Sequence, residues 1–151
     1  MQESIKLTGR VEIECRKDGK VIDRIEKDNL VVTTGINRVR DLIGGLITGQ
    51  PSFSHLAIGE SGSGDSVAVG DTELTSEVKR VAPTITSEAG SKIIFEHTFS
   101  FDTAENYAIK ELGIFDGATP TGSTMFNRVL FSAKNVDTDT ELYVKVTITI
   151  T

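Results

Sequence analysis

Apolar and polar residues alternate with a period of two over most of the chain, the pattern of half-buried β-strands. Near the N-terminus Ile5, Leu7, Val11, Ile13 and Cys15 alternate with polar partners. Asp18-Gly19 then supplies the pair favoured where both central turn residues need φ > 0, so residues 21–25 are the returning strand of a hairpin. At the other end Leu142, Val144, Val146, Ile148 and Ile150 alternate with Tyr143, Lys145, Thr147, Thr149 and Thr151, the most regular strand pattern in the sequence. Further strand candidates lie at 53–58, 78–85, 92–101, 107–115 and 125–131. The joins "SEAGS", "DTAEN", "DGATPTGS" and "NVDTDT" are turn chemistry. Many short strands at this spacing predict a mainly β chain: an antiparallel β-sandwich or jelly-roll-like domain with an N-terminal β-hairpin.

One segment breaks the alternation. In "TTGINRVRDLIGGLITG" residues Ile36, Val39, Leu42, Ile43, Leu46 and Ile47 recur at helical spacing, with Thr34 as the candidate N-cap. The pattern predicts one amphipathic helix near 35–48, its last turn weakened at Gly44-Gly45 by about 1 kcal/mol per glycine relative to alanine. Its stripe of Ile36, Val39, Leu42, Ile43 and Ile47 is expected to bury itself as a lid on the sandwich. The expected organisation is a hairpin or arm over 1–28, followed by the sandwich over 29–151. The hairpin either contacts a partner or adds two strands to its own sandwich.

With 151 residues, one core suffices. A formal net charge of −6 argues against nucleic-acid binding, which depends on clustered Lys and Arg. The single cysteine, Cys15, excludes an intrachain disulfide and a cysteine zinc site, and its place in the alternation makes it a core residue. The chain opens polar, without the apolar core of a secretory signal, and no window resembles a membrane span.

The stretch "IGESGSGDSVAVGDTELTSEVKR" is the strongest invitation to chemistry, and its spacing declines it. A phosphate loop needs a lysine directly after its last glycine, and here none follows until Lys79. A dinucleotide fingerprint lacks its third glycine, and Asp65, Asp71 and Glu73 are out of register for a calcium loop. An ordinary surface loop is the expectation. His97 falls on an apolar face between Phe95 and Phe99, with no acid or second histidine spaced to share a metal; it and His55 are expected to be packing residues. No nucleophile, base and orienter can be nominated together. Neither enzymatic activity nor a cofactor is expected, and no catalytic, cofactor-binding or metal residue is assigned.

The charges that do look placed are Glu77, Arg80, Glu111 and Arg128. Glu111 sits in "AIKELGIFDG", where alternation puts it on one face with Ile109, Gly113 and Phe115. Arg128 interrupts an apolar strand in the same way. A charge there is costly unless paired, so Glu111 either pairs with Arg80 or Arg128, locking two strands together, or each of these groups is solvated on an outward face.

In order along the chain, "DNLVVTTGINRVRDLI", "HLAIGESGSG", "VGDTELTSEVKR", "KELGIFDG" and "STMFNRVLF" resemble the small β-rich structural proteins of tailed bacteriophage particles, the tail-fibre, baseplate and capsid-decoration proteins. The resemblance runs from about Asn29 onward. It implies a non-enzymatic, homotrimeric virion component, made in the host cytoplasm, with the major capsid protein or a tail component as partner and neither nucleic acid nor membrane. It supplies no catalytic residue. Capsid decoration is the first expectation, because the chain has no fibrous repeat. A tail, baseplate or tail-fibre component, or a carbohydrate- or cell-surface-binding module, is the alternative, the last disfavoured by two tyrosines and no tryptophan.

Overall fold

The computed structural model describes residues 4–151; the first three residues of the expected N-terminal unit lie outside them. Nine strands and one helix follow in the order β1 (Leu7–Lys17), β2 (Lys20–Val31), α1 (Thr33–Ile43), β3 (His55–Gly59), β4 (Glu77–Val81), β5 (Thr84–Glu88), β6 (Lys92–Ser100), β7 (Tyr107–Phe115), β8 (Met125–Val136) and β9 (Thr140–Ile150). All pair antiparallel, in the order β4-β3-β7-β8-β2-β1-β9-β6-β5. The sheet curls on itself: β2 pairs with β1 along most of its length and meets β8 only through Leu30 and Val31. The strands to either side of that joint form the two layers of the expected mainly β sandwich.

Alternation dictates the core. Val11, Ile13 and Cys15 of β1, Leu142, Val144, Val146 and Ile148 of β9, and Phe95 and Phe99 of β6 project from one layer onto Leu56, Ile58, Ile109, Leu112, Ile114 and Val129 of the other, in one continuous apolar cluster. The outer face of the first layer carries the polar alternates, cross-linked by ion pairs of Arg10 with Glu26 and Asp28, and of Arg24 with Glu12 and Glu26. The Asp18-Gly19 turn has φ of 50° and 73°, as a two-residue hairpin requires.

The N-terminal hairpin is not a free arm. β1 is an interior strand, paired with β9 along all eleven of its residues as well as with β2, and its inward residues are core. The unit boundary drawn near residue 28 therefore passes through the sandwich. The single strand expected at 78–85 is two, because Pro83 has no N–H for a ladder and Ala82-Pro83 carries the chain from the edge of one layer to the edge of the other. The strand expected to stop at 131 continues to Val136. Register shifts between Ile109 and Glu111, so the bulge at Lys110 turns Ile109 inward with Leu112 and Ile114, away from the face where alternation placed it beside Glu111.

The helix is shorter than expected and its cap differs. It spans Thr33–Ile43 with Val32 at the N-cap position, while the Thr34 hydroxyl donates to the Met125 carbonyl at 2.6 Å. Gly44-Gly45 ends it outright: Gly45 takes φ of 65°, its N–H donates to Leu42 O and the Leu46 N–H to Asp41 O, a Schellman closure. Leu46 and Ile47 thus fall beyond the last turn.

Candidate functional site

Sheet alternation places Ala57, Arg80, Gly113 and Arg128 in one row across the outer face of the second layer, with Glu111 one step along. That face is covered by residues 60–76, whose Leu74 packs against Val32, Ala57, Phe115 and Met125. A charge on it is therefore beneath a loop, out of reach of water. Glu111 is fully buried, and Arg128 Nη2 donates to its Oε2 at 2.7 Å. Glu111 also accepts backbone N–H groups from Ser61 (3.3 Å), Thr75 (3.1 Å) and Ser76 (2.7 Å), at the two ends of the loop. Arg128 donates further to Asp65 (2.5 Å), Asp71 (3.0 Å) and the Thr75 hydroxyl (2.8 Å). Hydroxyl donors Thr75 and Ser61, with Arg128, hold the Asp65 carboxyl far below the usual carboxylate range. Burial opposes the charge on Arg128, but the carboxylates around it outweigh burial and raise its pKa. Gly59 makes room for this arrangement: a Cβ there would lie 2.5 Å from Ser76 O and 2.6 Å from Glu111 Oε1.

Of the two partners considered for Glu111, Arg128 is the one in contact. Arg80 is engaged elsewhere. It forms a fork with Glu77 at 2.7 and 2.6 Å, lies 3.9 Å from the Phe115 ring centroid, and donates to Gly117 O, Thr119 O and the Ser123 hydroxyl. Its side chain is thereby turned toward the 116–124 loop, away from Glu111. Arg38, in the middle of α1 and not singled out by the sequence, does the same for the segment that follows the helix. It pairs with Asp116 at 2.6 Å, donates to Pro51 O at 2.8 Å and covers the Phe53 ring. One buried guanidinium, Arg128, and two largely covered ones, Arg80 and Arg38, thus fix three irregular segments onto the sandwich. Each engages carboxylates together with backbone carbonyls or hydroxyls of the loops, which holds those loops in place.

Asp65 and Asp71 were invisible as partners because they lie 63 and 57 residues before Arg128 in a segment with no periodicity. The signal in the sequence was an arginine flanked by the apolar Phe126 and Leu130 on its own face of the strand. His97 is half-buried, edge-on to Phe99 with ring centroids 4.9 Å apart, and burial lowers its pKa. His55 Nδ1 lies 3.0 Å from the Ser54 hydroxyl. Cys15 is buried, which raises its thiol pKa.

The second feature is the end of the sandwich where α1 stands. The helix packs on β8 through its first turns, where Gly35 comes so close that a Cβ would lie 2.4 Å from Phe126 O. Val39 packs against the core, but the rest of the expected lid does not close. Ile36 is 49% exposed, Leu42 62% and Ile43 70%, and Ile47 lies past the helix end, half-buried. The physical reason is the Gly35 contact: the helix is anchored at one end and its second half overhangs. An apolar groove lies on each side. One of about 640 Å³ runs between the helix and Ile5, Leu7 and Val31; the other, about 340 Å³, runs between it and Phe53, Phe95, Ile148 and Ile150. With Leu46 and Ile150 also exposed, this end of the sandwich is an apolar surface.

None of the described helices is long and apolar enough to cross a membrane. Comparison with protein-family models, with curated proteins and with solved structures found no match.

Proposed function

We propose that this chain is a non-enzymatic structural protein of a tailed-bacteriophage particle, a capsid decoration protein that attaches to the head through its α1 end. The observation that carries the reading is the exposed apolar surface of Ile36, Leu42, Ile43 and Leu46 with the grooves beside it. Contiguous apolar patches rimmed by polar residues mark interaction sites. The buried arginine clasps support the same reading: they hold the long loops in place before any partner arrives, so attachment orders little chain and loses little entropy. The order of motifs from Asn29 onward resembles small virion proteins, whose partner is the major capsid protein or a tail component; a short acidic chain with no fibrous repeat favours the capsid protein. Purified protein is to be mixed with particles lacking it, and its position imaged with a label. Density on the capsid faces is the expected result; density confined to the tail moves the protein to the tail, and none on either ends the proposal.

A further inference from the structure

We propose that β5 is a self-pairing edge through which two copies of this chain join their sheets across a two-fold axis. This inference stands apart from the virion reading and concerns an edge distant in sequence from α1. A sheet edge exposes unpaired N–H and C=O groups, and proteins ordinarily guard such edges with charge, inward-pointing ions or cover. Two of the flanks here are guarded. The flank of β2 carries Lys20, Asp23, Arg24, Glu26, Lys27 and Asp28, and is braced to β8 by Lys27 donating to Leu130 O and by Lys134 pairing with Asp23. The β4 edge turns Lys79 toward Ser100 O and Glu105, closing the side of the sandwich.

β5 is charged only at its last residue, where Glu88 pairs with Lys92 of β6 at 3.8 Å, and nothing among the described residues covers it. Its sequence is Thr-Ile-Thr-Ser-Glu, all five residues are exposed, it ends the strand order, and it pairs without a register shift to β6. On its inner side Ile85 is 39% exposed, diagonal to Ile93 (37%), which lines the groove beside α1. The strand is self-complementary. Centred on Thr86, an antiparallel dyad sets Thr86 against Thr86 of the second copy, Ile85 against Ser87 and Thr84 against Glu88. Each contact is tolerated or favourable, with no like charges opposed, and Ile85 reaches its own counterpart on the diagonal. The interface is isologous and closes at two subunits, in place of the trimer that the sequence resemblance implied. A five-residue pairing is small, so the dimer forms in a concentration-dependent way in solution and is reinforced where many copies share one surface.

Sedimentation equilibrium over a wide concentration range tests this on the full chain. Wild type is expected to show a monomer–dimer equilibrium. Thr86 is exposed, so Thr86→Lys and Thr86→Glu leave the fold intact, as a melting curve verifies, and each opposes like charges on the dyad. Each is expected to move the midpoint to about fivefold higher concentration, and an equimolar mixture of the two to recover wild-type association. A wild type that stays monomeric throughout overturns the proposal. So does a dimer whose midpoint neither variant moves, or one that responds only to substitutions on α1.

Discussion

Arg128→Met removes the guanidinium at the centre of the 60–76 clasp while keeping much of its apolar stem. Arg128 is 3% exposed and Glu111 0%, and deleting one partner of a buried pair costs about 3–5 kcal/mol because the other charge is left behind. Here Glu111 keeps its three backbone N–H donors, Asp65 keeps two hydroxyls and Asp71 keeps the Ala68 N–H, so the cost belongs at the lower end. A loss of about 3 kcal/mol lowers the melting midpoint of a chain this size by about 6–12 °C, at about 2–4 °C per kcal/mol. Amide hydrogen exchange adds the location: Ser61, Thr75 and Ser76 still donate to Glu111, but with the loop no longer clasped by Arg128 it opens more often, so these amides are expected to exchange faster while those of β1 and β9 keep their rank. Combining Arg128→Met with Glu111→Gln is expected to cost less than the sum of the two. An unchanged midpoint, unchanged exchange at the three amides, or strict additivity would show that Arg128 does not hold the loop.

Three further outcomes follow from the same geometry. Gly59→Ala drives a methyl onto Ser76 O and Glu111 Oε1, and is expected to cost about 1–3 kcal/mol and to shift the amide resonances of 60–76, read by denaturant unfolding and NMR. Asp65 has a folded pKa below its unfolded value of about 3.9, so the stability it contributes is complete above about pH 4 and is lost as pH falls through the folded value. Asp65→Asn is therefore expected to flatten the fall in unfolding free energy between pH 5 and pH 2, and an unaltered slope counts against the clasp. Leu42→Asp is expected to change stability by no more than about 0.5 kcal/mol, because the side chain stands in solvent; a large drop in the melting midpoint would show that the helix stripe is packed after all.

How much was legible in the sequence depended on whether its signal was periodic. The core strands β1 and β9 were readable from strict alternation, and the Asp18-Gly19 turn from the φ requirement of a two-residue hairpin. The Lys110 bulge was not, because a one-residue insertion leaves composition untouched while reversing the faces on either side of it. The covering of the outer face of the second layer was hidden for a related reason. Residues 60–76 have loop composition, and only tertiary contact shows that Leu74 and the clasp carboxylates seal the face that holds Glu111. Helical spacing correctly located α1, but spacing reports amphipathicity and not what lies opposite. The Gly35 approach to Phe126 decided which residues packed, and it left Leu42 and Ile43 outside.

The most direct test of the proposed role is saturable binding of the purified chain to particles stripped of it, measured by co-sedimentation for wild type and for Leu42→Asp. Wild type is expected to saturate a fixed number of sites on the head, and Leu42→Asp, equally folded, to fail to bind. Binding of both proteins alike, or of neither, would contradict the proposed role.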